Sequence, residues 1–175
     1  VEISAILKPL DVELVLESYL GVDVEVEETG STFEENSFLK ANAVRKATGL
    51  PALADDSGIA VDALGGAPGV HSARYGDDPA LDDWGRLLLL LKNTEQVPDG
   101  QRQAQFVSVI TLVYPDGRVI QARGEAHGEL LREAHGEGGF GYDPIFYYPP
   151  AGKTFAELTA GEKNQVSHRA KALKL

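Results

Sequence analysis

Two adjacent carboxylates, Asp55 and Asp56, are the residues of this 175-residue chain whose spacing points most directly to chemistry. They follow a short apolar run at residues 50–54 and precede a Ser-Gly pair, which places them where open α/β sheets bind ligands. Adjacent carboxylates repel each other and are costly to hold together without a cation. Because hard divalent metals take oxygen ligands, the pair predicts a metal site; a solvated acidic turn is the alternative.

Glu27 and Glu28 form a second acidic pair, just before a Thr-Gly dipeptide. Alone they are typical of surface charge, and they become candidate metal ligands only if the fold brings them near Asp56. Lys40 lies in the middle of a predicted helix, where a lysine usually faces solvent.

Residues 136–141 match the G-x-G-x-x-G pattern of dinucleotide-binding folds, but their context is wrong. That fingerprint follows a strand and opens a helix, whereas this one follows a polar stretch late in the chain. We interpret it as a flexible loop that presents Phe140, Gly141, Tyr142 and Asp143, with an aromatic ring to stack on a base and a carboxylate to accept hydrogen bonds. The alternative is an ordinary glycine loop with a buried phenylalanine.

The C-terminal segment is basic on an otherwise acidic chain, whose formal net charge is −11. A cationic patch concentrates the electric field on an anionic ligand, although cations are also favourable at solvated helix ends. The cationic side chains concerned are Lys163, His168, Arg169, Lys171 and Lys174.

Composition excludes several classes of function. The acidic balance argues against a nucleic-acid polymer as partner, which requires a basic surface. The absence of cysteine excludes disulfides and thiol catalysis and agrees with a cytoplasmic location. The leucine run at residues 87–91 is too short to cross a membrane, and no signal peptide is visible. The length predicts one domain over residues 1–175.

The N-terminal half predicts alternating elements. We expect a helix end at residues 1–8, strands at 12–16 and 22–26, and a helix at 33–48 that begins with a capping box of Thr32 and Glu35. Short strands at 50–54 and 59–61 are expected to flank an Asp-Asp-Ser-Gly turn.

In the C-terminal half, Asp78-Pro79 predicts the start of a helix with Trp84, Leu87, Leu88 and Leu91 on its apolar side. Residues 105–114 predict a central strand that pairs in a hairpin with 118–126. A helical turn at 156–158 and a final helix at 165–175 complete an α/β fold with a mixed sheet.

Three blocks of the sequence, at residues 54–75, 139–146 and 163–173, together resemble the inosine triphosphate pyrophosphatase family. The resemblance implies an elongated mixed β-sheet flanked by helices, two lobes with a nucleotide cleft between them, Mg²⁺ as cofactor and a homodimer. Family members open with a strand and a Thr-Gly-Asn-x-x-Lys phosphate loop. The chain begins at Val1, just after the corresponding point, so that segment is expected to be missing from it.

The activity implied by the resemblance is hydrolysis of noncanonical purine nucleoside triphosphates (ITP, dITP and XTP) to the monophosphate and pyrophosphate. By matching position, Asp56 is the proton acceptor and a metal ligand, and Glu27 is the second metal ligand. Asp55 and Glu28 are acidic neighbours, and Lys40 contacts phosphate. The implied nucleotide contacts are Ser57, Phe140, Gly141, Tyr142, Asp143, Lys163, His168 and Arg169.

Base selection is expected to depend on a donor from His168 or Arg169 to the purine 6-oxygen, because adenine carries an amino donor there instead. Phe140 or Tyr142 would stack on the ring. Three alternatives remain: a related pyrophosphatase that acts on other bases, a nucleotide-binding protein without catalysis, and an acidic scaffold domain.

Overall fold

The computed structural model describes residues 2–174. They fold into one five-stranded β-sheet with helices packed on both of its faces. The strands lie in chain order: β1 (Ala52–Val61), β2 (Gln103–Val113), β3 (Val119–Leu130), β4 (Phe146–Tyr148) and β5 (Lys153–Thr154). The α-helices are α1 (Glu2–Leu7), α2 (Phe33–Thr48), α3 (Asp83–Asn93), α4 (Ala160–Val166) and α5 (His168–Leu173).

The α/β class, the central strand and its hairpin with the next strand are confirmed. β2 is buried along most of its length and pairs with both β1 and β3. Every strand pair in residues 2–174 is antiparallel, whereas the sequence predicts a mixed sheet. The short turn between β2 and β3 requires that pair to be antiparallel, because a parallel neighbour needs a long crossover.

The expected turn at Asp-Asp-Ser-Gly is wrong, because β1 runs straight through it. Its ladder with β2 continues without a break from the pair Ala52 and Val113 to the pair Val61 and Ala104. Position 58 requires glycine because of a close packing contact and not because of a turn. A Cβ atom there would lie 2.5 Å from Ser72 Oγ and even closer to the Gly69 carbonyl oxygen. The glycine therefore allows a 3₁₀ helix, Gly69–Arg74, to pack directly on β1.

The helix at residues 33–48 is confirmed, and it covers one face of the sheet. Thr32 caps it by accepting a hydrogen bond from the Glu35 amide, 3.1 Å away. On this face Phe33 packs with Val107 and Val109. The opposite face carries the larger core, which includes Phe106, and lies under α5. The two faces of the central strands therefore provide different environments, one beneath α2 and one beneath α5.

Residues 12–16 and 22–26 belong to no strand, so these two predictions are wrong. Extended residues become a strand only when a neighbouring strand satisfies their backbone N–H and C=O groups. In the described structure these segments lie outside the sheet, and Val12 and Leu16 are 54% and 66% exposed. Apolar composition alone therefore does not place them in the sheet.

Two helix boundaries differ from those predicted. α3 begins at Asp83, with Asp82 as its cap, and its buried leucines are Leu87 and Leu90. Trp84 and Leu88, both predicted to lie on the apolar side of this helix, are about half exposed.

The expected final helix is divided at Ser167, which ends α4 and caps α5 by accepting a hydrogen bond from the Ala170 amide. The turn predicted at 156–158 is a 3₁₀ helix at Phe155–Glu157. No helix within residues 2–174 is long and apolar enough to span a membrane.

Candidate active site

Asp55 and Asp56 face opposite sides of the sheet, because successive side chains of a strand alternate between its faces. Asp56 lies beneath α2, where it contacts Lys40. Asp55 lies beneath α5, where it contacts Arg169. The two carboxylates therefore do not face a common cation within residues 2–174. Each carboxylate has its own cationic partner on its own side of the sheet.

Asp56 is buried, and its two carboxylate oxygens have different surroundings. Lys40 Nζ donates to Asp56 Oδ1 at 2.9 Å and lies 3.1 Å from Glu28 Oε1. Asp56 Oδ2 is also buried, yet it has no hydrogen-bond partner among residues 2–174. A buried carboxylate oxygen without a donor is costly, so this atom indicates a position prepared for an absent ligand.

The charges around Asp56 adjust its proton affinity. Burial raises the pKa of Asp56 and Lys40 opposes that rise, while the charges of Glu28 and Asp55 raise it further. The pKa of Lys40 is also raised: burial lowers it, but Asp56 and Glu28 more than compensate. A carboxylate with an elevated pKa beside a permanently charged ammonium group is suited to accept a proton.

The segment that carries Glu27 and Glu28 is tied to α2 by a buried asparagine. The Gly30 amide donates to Asn36 Oδ1 at 2.8 Å. Glu28 reaches Lys40 from this segment, whereas Glu27 is exposed. Within residues 2–174, no three carboxylate or imidazole groups are already arranged around a common metal position. The structure therefore links Glu28 to Asp56 through Lys40, and within residues 2–174 it shows no ion pair between Glu27 and Lys40.

The other face of β1 holds a polar cluster centred on Asp55. Arg169 approaches Asp55 Oδ2 with two nitrogens, Nε at 3.0 Å and Nη2 at 2.6 Å. Ser57 and Ser108 donate to Asp55 Oδ1 at 2.7 and 2.6 Å. Strands β1 and β2 and helix α5 therefore meet at a single carboxylate.

The loop predicted to present ligand-binding groups lies beside the same helix. Asp143 is buried, accepts from the Phe140 amide at 3.0 Å and forms an ion pair with Lys163. The exposed Phe140 ring lies 4.4 Å from Lys163 Nζ and 6.0 Å from the Arg169 guanidinium carbon. A Cβ atom on Gly139 would overlap the Asp143 carboxylate. The glycine therefore permits the tight loop that places Phe140 over both cations.

Tyr142 and His168 turn inward, so their side chains are not presented as the sequence suggests. The Tyr142 hydroxyl donates to the Ser72 carbonyl at 2.6 Å, and burial raises its pKa. The His168 ring stacks on Phe106, with the centroids 4.9 Å apart. Burial, assisted by Arg169, lowers the pKa of His168 to about 3. His168 is therefore neutral at physiological pH and contributes no charge to the basic segment.

Sequence reasoning missed Ser108 and Asn36, two fully buried polar residues that hold the site together. Ser108 interrupts the apolar run of β2, and a polar group in a buried strand must find a partner. That interruption was the available signal. Asn36 carries no comparable signal, because the first turn of a helix commonly contains polar residues.

The Ham1 family model matches residues 1–175, the whole chain. The chain belongs to the Ham1 family. Relatives named dITP/XTP pyrophosphatase are 51% identical in Shigella flexneri and 49% in Escherichia coli K12, and each match covers 99% of this chain and 88% of the relative. The predicted resemblance to a noncanonical purine triphosphate pyrophosphatase family is therefore confirmed.

Solved Ham1 structures have the same fold. A HAM1 protein from Coxiella burnetii superposes with a TM-score of 0.91 at 43% identity, and the match covers 99% of this chain and 88% of that one. The Ham1 protein of Staphylococcus aureus gives a TM-score of 0.88 at 43% identity, covering 98% and 86%. These similarities support the α/β arrangement described above.

Proposed function

We propose that this Ham1 protein hydrolyses noncanonical purine nucleoside triphosphates, namely dITP, XTP and ITP, to the nucleoside monophosphate and pyrophosphate. Relatives about half identical over nearly the whole chain carry the name dITP/XTP pyrophosphatase. The observation that carries the chemistry is the buried Asp56 carboxylate, with one oxygen bonded to Lys40 and the other without a hydrogen-bond donor in the described part of the chain.

In the proposed reaction, a water oxygen attacks the α-phosphorus and forms a new P–O bond. The bond from the α-phosphorus to the oxygen that bridges to the β-phosphate breaks, and pyrophosphate leaves with that electron pair. Asp56 accepts the proton that the water loses. Its raised pKa favours this step, because a base works best when its pKa approaches the working pH.

Lys40 provides positive charge at the reacting phosphates. It is anchored between Asp56 and Glu28, so its ammonium group is already oriented before substrate binds. Positioning and charge stabilisation account for most catalysis of phosphoryl transfer, so this fixed cation should matter more for turnover than for affinity.

A divalent metal, which we propose to be Mg²⁺, completes the site. The unpartnered Asp56 Oδ2 is a suitable oxygen ligand, and we propose that Asp56 and Glu27 would hold the ion. When bound, Mg²⁺ supplies neutralising charge and polarises the phosphoryl oxygens. Without it, the acidic chain, whose net charge is −11, would repel a triphosphate.

We propose that the nucleoside binds at the Phe140 end of the site. The exposed Phe140 ring offers a face for base stacking, and Lys163 and Arg169 lie beneath and beside it. Ser57, Gly141 and Asp143 complete the set of proposed nucleotide contacts. Because Tyr142 and His168 are buried, we expect them to shape this surface from below, with Arg169 the better placed donor for the purine 6-oxygen.

The test is pyrophosphate release from dITP, XTP, dATP and dGTP, with and without Mg²⁺. We expect dITP and XTP to be hydrolysed far faster than the standard nucleotides, and Asp56→Asn to remove nearly all turnover. Equal rates on all four would refute the proposed base preference, and faster hydrolysis of dATP or dGTP would point to a pyrophosphatase that acts on other bases. Binding of ITP without any pyrophosphate release would point to a binding protein.

We further propose that the chain acts as a homodimer in the cytoplasm on free nucleotides, and not on nucleic-acid polymers or at membranes. The family resemblance and the net charge of −11 support this proposal. Sedimentation equilibrium of the purified chain measures the oligomeric state, and a single species of monomer mass would contradict the dimer.

A further inference from the structure

We propose that Asp55 and Ser108 position the Arg169 guanidinium for nucleotide binding, and that Asp55 takes no part in metal binding or proton transfer. The proposal rests on the proposed function, since it assigns Arg169 to the nucleotide. It separates two neighbouring aspartates into different tasks, although sequence alone groups them as one acidic pair.

The acceptor positions of Asp55 are already occupied. Its two oxygens receive hydrogen bonds from Ser57, Ser108 and two nitrogens of Arg169, at 2.6 to 3.0 Å. Two carboxylate oxygens provide about four lone-pair positions. A metal ion would therefore have to displace one of these donors. Asp56 differs in this respect, because its Oδ2 atom lacks any donor within residues 2–174.

The contact between Asp55 and Arg169 has the geometry that orients a guanidinium. Two nitrogens of one Arg169 side chain approach the same Asp55 oxygen, and both side chains are largely shielded, at 14% and 19% exposure. Contact through two nitrogens restrains the guanidinium more than a single hydrogen bond would, and the charge on both partners strengthens it. The oriented group lies at the rim of the Phe140 ring, 6.0 Å from its centroid.

Ser108 holds Asp55 from the inner side of the sheet. It lies on β2 between the buried Val107 and Val109, and its hydroxyl donates to Asp55 Oδ1 at 2.6 Å. β2 is paired along its whole length on both sides, so Ser108 is attached to the most constrained part of the fold. A rigid donor on the far oxygen fixes the carboxylate, and the carboxylate in turn fixes Arg169.

The separation of the faces makes the proposal testable. Asp55 and Asp56 lie on opposite sides of β1, so the loss of Asp55 should not alter the metal requirement. Its effect should appear in the affinity for the nucleotide. Furthermore, a residue that acts only through Arg169 should have no effect once Arg169 has been replaced.

The first measurement is calorimetric binding of inosine monophosphate, which involves no turnover. We expect Asp55→Asn to weaken binding about tenfold or more, the effect of losing a hydrogen bond to a charged group. Ser108→Ala should weaken it by about three- to tenfold, because Ser108 acts on Arg169 only through Asp55. In the presence of Arg169→Gln, Asp55→Asn should add less than a twofold change.

Ser37→Ala is the matched control for Ser108→Ala. Ser37 is also fully buried, and its hydroxyl lies 2.7 Å from Thr111 Oγ1, but on the Asp56 face of the sheet. It should lose a similar amount of stability while binding inosine monophosphate normally. Equal weakening by both serine variants would show that the effect comes from general loosening, and would overturn the proposal.

The second measurement is the Mg²⁺ concentration for half-maximal pyrophosphate release. Asp55→Asn should leave it within twofold of the wild-type value and should raise KM more than it lowers kcat. A large shift in the Mg²⁺ requirement, or a loss confined to kcat, would place Asp55 in the metal or proton chemistry. If the wild-type chain releases no pyrophosphate, the proposed function fails, while the binding series still decides the role of Asp55.

Discussion

The strongest prediction concerns His168, whose burial couples the stability of the fold to pH. The ring is 6% exposed, stacks on Phe106, and its Nδ1 atom has no hydrogen-bond partner within the described residues. Protonation would place an unpaired charge in the core, close to the cations Arg169, Lys163 and Lys171, with Asp55 as an opposing charge. The folded chain therefore resists a proton that the unfolded chain accepts readily.

The size of the effect follows from the two pKa values. His168 has a pKa of about 3 in the folded chain and an ordinary value of 6.5 when unfolded. Below pH 6.5 the unfolded state binds an extra proton, so stability falls by about 1.4 kcal/mol per pH unit until the folded pKa is reached. Between pH 7.5 and 5.0 the loss attributable to His168 is about 2 kcal/mol. A folded pKa anywhere below about 4 gives the same result, because pH 5.0 lies above it.

Urea unfolding at both pH values, followed by circular dichroism, measures this loss. The comparison is between the wild-type chain and His168→Phe, which keeps an aromatic ring against Phe106 but cannot be protonated. All other titrating groups are common to both chains, so the difference in their pH dependence isolates His168. If both lose the same free energy of unfolding between pH 7.5 and 5.0, the ring is accessible to protons and our account of the core is wrong.

Three further perturbations test the site. Gly58→Ala should lower the free energy of unfolding by about 1–3 kcal/mol in urea titrations, because a Cβ atom there overlaps the 3₁₀ helix packed on β1. Gly161→Ala, where nothing lies within 4 Å, is its control and should be neutral or stabilising. The activity of the wild-type chain should fall as pH drops through the raised pKa of Asp56, so the acid limb of its pH–rate profile should lie above the usual aspartate value of 3.8. Lys40→Met should lower kcat and move that limb to higher pH, since Lys40 lowers the pKa of Asp56; an unchanged limb would remove Asp56 from the base role.

Local signals in the sequence located several elements correctly. The capping residue Thr32 and the terminating Gly49 define α2, and the Pro-Asp-Gly turn at residues 115–117 joins β2 to β3. β1 was misread because Ser-Gly is a common turn dipeptide. The reason for Gly58 is a contact with residues more than ten positions away, which no local pattern reveals. The segments at 12–16 and 22–26 were misread because composition does not show whether a strand has a neighbour.

For the proposed site too, some features could be predicted from the sequence and others could not. Motif resemblance selected the residues, and the structure places them in two groups, one around Asp56 beneath α2 and one around Asp55 beneath α5. The sequence does not show which of these residues contact each other. Asp55, for example, forms its ion pair with Arg169, which lies 114 positions away along the chain. The inward orientation of Tyr142 and His168 could not be predicted either, because the sequence alone does not show whether a ring packs against a ligand or into the core.

The alternation of side chains along β1 also has a consequence for how such a protein can diverge. Asp55 and Asp56 are consecutive in the chain, yet their side chains lie on opposite faces of the sheet and contact different helices. Substitutions on α5 and on the Ser108 side of β2 can accumulate without touching the surroundings of Asp56. We therefore expect lineages of this fold to change the nucleotide they accept while their hydrolytic chemistry is inherited unchanged.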